Sequence, residues 1–271
     1  MAEADQSITA IVTGGASGIG AATARRIVAG GGRVGILDLN AGAARDLVEE
    51  LGAASCSAEV DVLDEEGLGR AADLVEEAVG QANALVCCAG IPQLPYPVEG
   101  WPAAEFRRIV DSHLTGTYAS CRVIGGRIAG RGTGGAIVNL SSVVGLHPGP
   151  VLAYGAAKAG VSALTQALAV HWAAKKVRVN AVAPGWTNTP FLRPKERRGE
   201  RDFAPILNAT PMRRLMEPGE IAEVIHFLLS PAASAVTGAV VPCDGGVLAA
   251  AGWFPYGGFG STVTGQAESE A

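Results

Sequence analysis

Thr13-Gly14-Gly15-Ala16-Ser17-Gly18-Ile19-Gly20 is the stretch on which the reading of the whole chain turns. A short β-rich run, residues 8–13, leads into it, and an alanine-rich helical pattern, residues 21–29, leaves it. Glycines at such a turn let a backbone approach a phosphate closely. The N-terminus of the following helix then offers free N–H groups and the positive end of its dipole. The spacing TGxxxGxG differs from the GxGxxG dinucleotide fingerprint. A glycine-rich turn with no ligand has the same local pattern, so its meaning depends on the residues farther along the chain.

The next apolar run, residues 33–39, carries Asp38 near its end. In a dinucleotide fold, an acid roughly 20 residues past the glycines accepts hydrogen bonds from the adenosine ribose hydroxyls. A carboxylate there also repels the extra phosphate of NADP, and neither Ser17 nor Leu39 supplies a cation to neutralise it. Asp38 therefore reads as a ribose ligand, with a helix cap near Asn40 as the alternative. Asp61 ends the third strand-like run, residues 56–62, and is either an adenine contact or a solvated loop acid.

Farther out the rhythm repeats. Residues 41–51 and 68–79 are helical, whereas residues 84–88 and 136–140 are almost wholly apolar. This β-α-β-α order predicts a parallel sheet with helices on both faces, whose strands are apolar throughout rather than alternating. With 271 residues, 48% hydrophobic and 17% charged, the chain can bury one large core, and 37 glycines suit many tight strand-to-helix turns. No shift of composition divides residues 1–248, which are expected to form one dinucleotide-binding and catalytic domain. Residues 190–211, rich in proline and arginine, break the rhythm and read as a lid over a site. Residues 249–271 form an aromatic tail, with Trp253, Phe254, Tyr256 and Phe259 among glycines and an end expected to be disordered.

The formal net charge of -5 argues against a nucleic-acid binder, which needs a basic face for phosphates. No apolar stretch reaches the roughly 20 residues that span a bilayer, and the opening Met-Ala-Glu-Ala-Asp has no signal-peptide pattern. The five cysteines, Cys56, Cys87, Cys88, Cys121 and Cys243, have neither CxxC nor metal-ligand spacing. A reduced cytoplasmic protein with no metal, membrane or nucleic-acid partner is expected.

Chemistry is carried by Tyr154-Gly-Ala-Ala-Lys158, at the start of a long helical stretch reaching about residue 174. The i,i+4 spacing puts phenol and ammonium on one helical face. Free tyrosine, with a pKa of about 10, is a poor base at neutral pH. A nearby cation typically lowers such a pKa by ~1–3 units, which makes Tyr154 a usable general acid/base. Ser142 follows the strand of residues 136–140 and so falls at the C-terminal edge of the sheet, where such folds bind ligands. Its hydroxyl is placed to bond a substrate oxygen and the phenol.

Taken together, Thr13-Gly14-xxx-Gly18-x-Gly20, Asp38, Asp61, Ala89-Gly90, Ser142, Tyr154-xxx-Lys158, Asn180 and Pro184-Gly185-xxx-Thr189 resemble the short-chain dehydrogenase/reductase family. The resemblance runs to about Gly246, through Val241-Pro-Cys-Asp-Gly-Gly246. It implies an α/β fold, a single-domain Rossmann-type doubly wound parallel sheet, and an NAD cofactor. It also implies Tyr154 as acid/base, Lys158 on the nicotinamide ribose and tuning Tyr154, and Ser142 polarising the substrate oxygen. By the same resemblance Gly14, Ser17, Gly18, Ile19 and Gly20 form the phosphate turn. Asp61 and Val62 meet adenine, and Ala89 and Gly90 let the cofactor lie against the fourth strand. Thr189, with the backbone near Thr187, holds the carboxamide, and Pro184 and Gly185 are further cofactor contacts.

Two positions depart from the family pattern. Cys87-Cys88 stands where Asn-Asn is usual, and His113 stands where an Asn usually supports a water-linked proton path to the lysine. An imidazole can donate, accept and relay protons, so His113 is either a relay or a packing residue.

Substrate walls are expected from Gln93, Leu94, Tyr96, His147 and Trp186, together with the lid. A stripe of small residues on the Tyr154 helix, Ala156, Ala159, Gly160, Ala163 and Ala167, packs either within the chain or between subunits of the homotetramer that the resemblance implies. The function expected is NAD-dependent hydride transfer between nicotinamide and a secondary alcohol or ketone of a small molecule. An NAD-binding sensor or scaffold with impaired chemistry is the alternative.

Overall fold

The protein is described by a computed structural model covering residues 7–93, 95, 97–192 and 202–256, with side chains to residue 253. Leu94, Tyr96, the charged lid segment 193–201, the rings of Phe254 and Tyr256, and Phe259 lie outside the described residues.

Seven strands form one parallel sheet in the order β3-β2-β1-β4-β5-β6-β7. They are β1 (Thr9–Thr13), β2 (Arg33–Asp38), β3 (Ser55–Glu59), β4 (Ala84–Cys87), β5 (Gly135–Leu140), β6 (Val177–Pro184) and β7 (Val240–Cys243). The strand order reverses between β1 and β4, which opens a crevice at their C-terminal ends. This is the parallel sheet expected from the rhythm and the Rossmann-type α/β fold that the family resemblance implies.

Both faces of the sheet are covered. Ala10 and Val12 of β1 pack into one layer with Ile27 of α1 (Gly18–Ala29) and Ile225 of α9 (Pro218–Leu229). Ile11 between them packs into the other layer with Leu68 and Val75 of α3 (Glu65–Val79) and Trp172 of α7 (Leu152–Ala173). Successive strand residues thus alternate between two apolar layers, so the central strands are apolar at most positions, with Asn139 of β5 and Asn180 of β6 as buried polar exceptions. Each fully buried Ile or Leu contributes about 1.5–3 kcal/mol relative to exposure. α2 (Ala41–Leu51) flanks β2 and β3 and is capped by Asn40, whose Oδ1 accepts from Ala43 N.

Several boundaries differ from the sequence expectation. α1 starts at Gly18 rather than residue 21, because the last glycines of the turn are already helical. β3 ends at Glu59 and β4 at Cys87, so Asp61, Val62 and Cys88 lie in the turns beyond the strands. The segment after β4 is one helical run, but not a uniform one. α4 (Ala103–Val110), α5 (Gly116–Ser120) and α6 (Gly126–Arg131) are joined by π turns at Asp111–Thr115 and Cys121–Gly125. Within the expected lid, α8 (Ala204–Ala209) is a short helix. A helical turn, α10 (Val247–Ala250), and a 3-10 turn, Ala251–Tyr256, begin the tail. Among the described residues no helix is long and apolar enough to cross a membrane.

Candidate active site

The glycine turn sits at the β1/β4 crevice. Gly14 (φ 63°) and Gly18 (φ 53°) take the left-handed conformation that a side chain resists. A Cβ on Gly14 would lie 2.6 Å from Ala89 Cα, so this turn packs directly on the chain leaving β4. Ser17 is the N-cap of α1, yet no side chain caps the helix and its first turn holds no acid. The positive end of this helix is therefore left for an external anion.

Asp38 reaches the same turn. Its Oδ2 accepts from Ala16 N at 3.0 Å, and its Oδ1 accepts from Asn40 N at 2.9 Å. Each oxygen keeps a second acceptor site for a hydroxyl donor. The helix-cap alternative falls to Asn40 itself. Asp61 holds its own turn through Leu63 N at 2.9 Å and lines a cavity of about 630 Å³ with Leu39, Val60 and Leu74. Val62 packs beneath Gly116. Across the crevice, Thr187 and Thr189 are buried, and the Thr189 methyl lies against Gly18. Pro184 ends β6, and a Cβ on Gly185 would meet Asp244 Cα at 2.8 Å.

The end of β5 and the start of α7 are joined by polar contacts that fix the reacting groups. Lys158 Nζ donates to the Leu140 carbonyl at 2.6 Å, and Ser141 Oγ donates to the Lys158 carbonyl at 3.0 Å. Ser142 is buried, and its Oγ accepts from Val144 N at 3.4 Å and pairs with the Tyr154 phenol. Lys158 Nζ stands 5.5 Å from the Tyr154 ring centroid. Ser142, Tyr154 and Lys158 therefore converge as the spacing predicted.

Their electrostatics depart from the simple expectation. Burial pushes the Tyr154 phenol above its ordinary value of 10, and the Ser142 hydrogen bond only partly offsets this. Burial lowers Lys158 to about 8. The ammonium is drawn to Leu140 O rather than to the phenol, so the lysine by itself does not make Tyr154 a base.

His113 is placed by the first π turn. It is 3% exposed and stands edge-on to the Tyr154 ring at 4.9 Å. Its Nε2 lies 2.8 Å from the Ile91 carbonyl, which can only accept, so Nε2 carries the proton. Burial first, and the Lys158 charge second, lower His113 to about 3, so the ring is neutral near pH 7. Its Nδ1 is buried and has no hydrogen-bond partner among the described residues.

Cys87, in the usual Asn place, is hydrogen-bonded to Cys121 from the second π turn, and that contact and burial keep its thiol protonated. Cys121 Sγ donates to Asn139 Oδ1 at 3.4 Å, and Asn139 Nδ2 donates to Thr165 Oγ1 at 3.0 Å. The sequence reading missed this chain of groups, since nothing in the spacing of Cys87 and Cys121 marks them as neighbours. Of the expected substrate walls, Gln93 touches α7 directly, with Oε1 accepting from Tyr154 N at 2.7 Å. His147 and Trp186 are exposed.

A family profile described as enoyl-(acyl carrier protein) reductase matches residues 14–248. The chain is 40% identical to cis-4-hydroxycyclohexanecarboxylate dehydrogenase of Sinomonas cyclohexanicum over 255 residues, covering 92% of this chain and 100% of the relative. It is 42% identical over 241 residues to the L-tagatose-forming galactitol 2-dehydrogenase of Cereibacter sphaeroides, covering 88% and 93%. A solved oxidoreductase of the short-chain dehydrogenase/reductase family from Burkholderia thailandensis superposes with a TM-score of 0.82 at 33% identity, covering 90% of this chain and 94% of that one. Fold, site geometry and full-length similarity agree, and the chain belongs to the short-chain dehydrogenase/reductase family.

Proposed function

We propose that this protein is an NAD-dependent oxidoreductase that interconverts a secondary alcohol and a ketone of a small molecule. The observation that carries the reading is the convergence of buried Ser142 and Lys158 on the half-buried Tyr154, in a fold whose first helix N-terminus has no side-chain cap.

The crevice residues fit a nicotinamide dinucleotide. Gly14, Ser17, Gly18, Ile19 and Gly20 would hold its pyrophosphate, and Asp38 its adenosine ribose. Asp61 and Val62 would meet adenine, and Ala89 and Gly90 would form the floor. Lys158 would hold the nicotinamide ribose, while Pro184, Gly185, Thr187 and Thr189 would hold the carboxamide. When bound, the nicotinamide supplies the hydride acceptor or donor and, when oxidised, a positive charge. Ser142 holds the substrate oxygen against Tyr154, and Tyr154 takes or returns the hydroxyl proton. Lys158 acts on Tyr154 through charge. His113 contributes as a neutral ring: it braces the phenol edge-on, and its Nδ1 remains as an acceptor for a proton-relay water.

The two relatives act, by name, on a hydroxylated cyclohexane acid and a sugar alcohol. A ring-bearing or polyol secondary alcohol is therefore the substrate class we favour. We further propose a homotetramer in the cytoplasm. The raised Tyr154 favours a second reading, a dinucleotide sensor with impaired chemistry. A turnover screen of secondary alcohols with NAD, run beside Tyr154→Phe, separates the two. The wild type should reduce NAD, and the variant should lose turnover by about 10²-fold or more while still binding NADH. Equal turnover in both proteins overturns the role of Tyr154, and no turnover with retained NADH binding favours the sensor.

A further inference from the structure

The Gln93 carboxamide is split between two tasks, and one of them has no partner. Its Oε1 accepts from Tyr154 N at 2.7 Å. A backbone N–H can only donate, so this contact fixes which end of the amide is oxygen. The other end, Nε2, is buried and has no hydrogen-bond partner among the described residues. A buried N–H donor left unpaired is costly, and one held in place beside a reacting group calls for a ligand acceptor.

Position supports this. The segment carrying Gln93 is tied to the reacting groups at two points. The Ile91 carbonyl binds His113 Nε2 at 2.8 Å, and Gln93 binds the backbone of Tyr154. His113 and Ser142 both contact the Tyr154 ring or phenol, so residues 91–93 run along the edge of the space where the substrate oxygen must sit. The carboxamide is neutral, as are the Tyr154 phenol and the His113 ring near pH 7, and Lys158, the cation 5.5 Å from the Tyr154 ring centroid, is held by the Leu140 carbonyl.

We propose that Gln93 Nε2 is a specificity determinant that donates to a second, uncharged oxygen of the substrate, one carbon from the reacting carbinol. The preferred substrate is then a vicinal diol or hydroxyketone rather than a simple secondary alcohol. This rests on the proposed oxidoreductase reading. A site built to bond such an oxygen discriminates strongly against the analogue that lacks it, because the buried donor is then left unpaired.

The probes are 1,2-cyclohexanediol and cyclohexanol, and the variants are Gln93→Glu and Gln93→Met. Glu keeps an oxygen for Tyr154 N and removes the donor, whereas Met removes both. Wild-type kcat/KM should favour the diol by at least tenfold. In both variants the diol should lose at least tenfold more kcat/KM than cyclohexanol, mainly through KM. Ligand-observed NMR with NADH present, a complex in which an alcohol cannot turn over, should give the same order for diol affinity. If Gln93→Glu behaves as wild type, or if both alcohols lose equally in both variants, Gln93 serves only to hold Tyr154 and the proposal falls. A diol that binds through Gln93 by NMR, yet is not oxidised with NAD, would sink the oxidoreductase reading instead. Preference for a hydroxy acid over the diol would overturn the uncharged-oxygen assignment.

Discussion

The Asp38 carboxylate holds the glycine turn at Ala16 and the next helix entry at Asn40, and in the proposed function its remaining acceptor sites would take the ribose hydroxyls. A phosphate brought to that carboxylate meets like charge with no cation from Ser17 or Leu39 to relieve it. NAD should therefore be preferred over NADP by at least tenfold in kcat/KM, about 1.4 kcal/mol. Asp38→Ala should shrink the preference, at some cost in stability because two backbone donors lose their partner. Comparable efficiencies with both cofactors in the wild type would contradict the assignment. His113 gives a second prediction, read through stability. The folded ring stays neutral down to about pH 3, whereas an unfolded histidine takes a proton near pH 6.5. Between those values the unfolded chain binds more protons, so this contribution is complete above about pH 6.5 and is lost as pH falls. Between pH 7 and pH 4 the wild type should lose Tm faster than His113→Asn, by on the order of 5 °C. Parallel Tm–pH curves for the two proteins would show that His113 titrates as it does when exposed.

At the scale of elements, the helix that delivers His113 matters more than the residue's identity. Two π turns re-aim a single helical run, one presenting His113 to the active site and the other Cys121 to Cys87. A Cβ on Gly90 would overlap the His113 ring at Cε1 and Nδ1, so the turn after β4 and the first π turn fit only as a pair. Gly90→Ala should cost about 1–3 kcal/mol by overpacking and lower turnover. His113→Ala in the same chain should restore most of the stability, and a double-mutant cycle with no coupling would refute the contact. This pairing also marks what the sequence could and could not reveal. A parallel sheet covered on both faces was legible because Ala10, Ile11 and Val12 belong to an unbroken apolar run of the kind only a doubly covered sheet buries. Ser142, Tyr154 and Lys158 were legible because their spacing and place relative to a strand end are local facts. The π turns were not, since an i→i+5 bond leaves no compositional mark. The contacts of His113 with Ile91 O, Lys158 with Leu140 O and Gln93 with Tyr154 N were hidden for another reason: each joins a side chain to a distant backbone group, and any residue type supplies that group. On the outer face of α7, Ala156, Ala159, Ala163 and Ala167 are exposed and Val170 is 81% exposed, whereas Gly160 alone of the expected stripe packs inward, against Leu114. Packing within the chain therefore does not account for the stripe, which is consistent with the subunit face we propose.

For the molecule as a whole, the tail tests whether one subunit is complete. The last firmly anchored point is Asp244, whose Oδ1 accepts from Gly246 N at 2.9 Å and whose Oδ2 accepts from Leu248 N at 2.8 Å. Beyond it, Ala250 is buried, but Trp253 is 46% exposed in the single chain. A large ring left nearly half in water, followed in sequence by Phe254, Tyr256 and Phe259, forgoes much of the apolar burial such rings provide. A neighbouring subunit would recover that burial, and a tail crossing the interface there would help close the neighbour's substrate pocket. Truncation after Leu248 removes the aromatic group while keeping both Asp244 contacts, so the sheet and the dinucleotide crevice should survive. The expected result is weaker assembly by analytical ultracentrifugation or a raised KM for the alcohol, with NADH affinity within about threefold of wild type, a difference under 1 kcal/mol. Loss of NADH binding would mean that the tail supports its own subunit's fold. Unchanged assembly, stability and kinetics would mean that the rings close nothing.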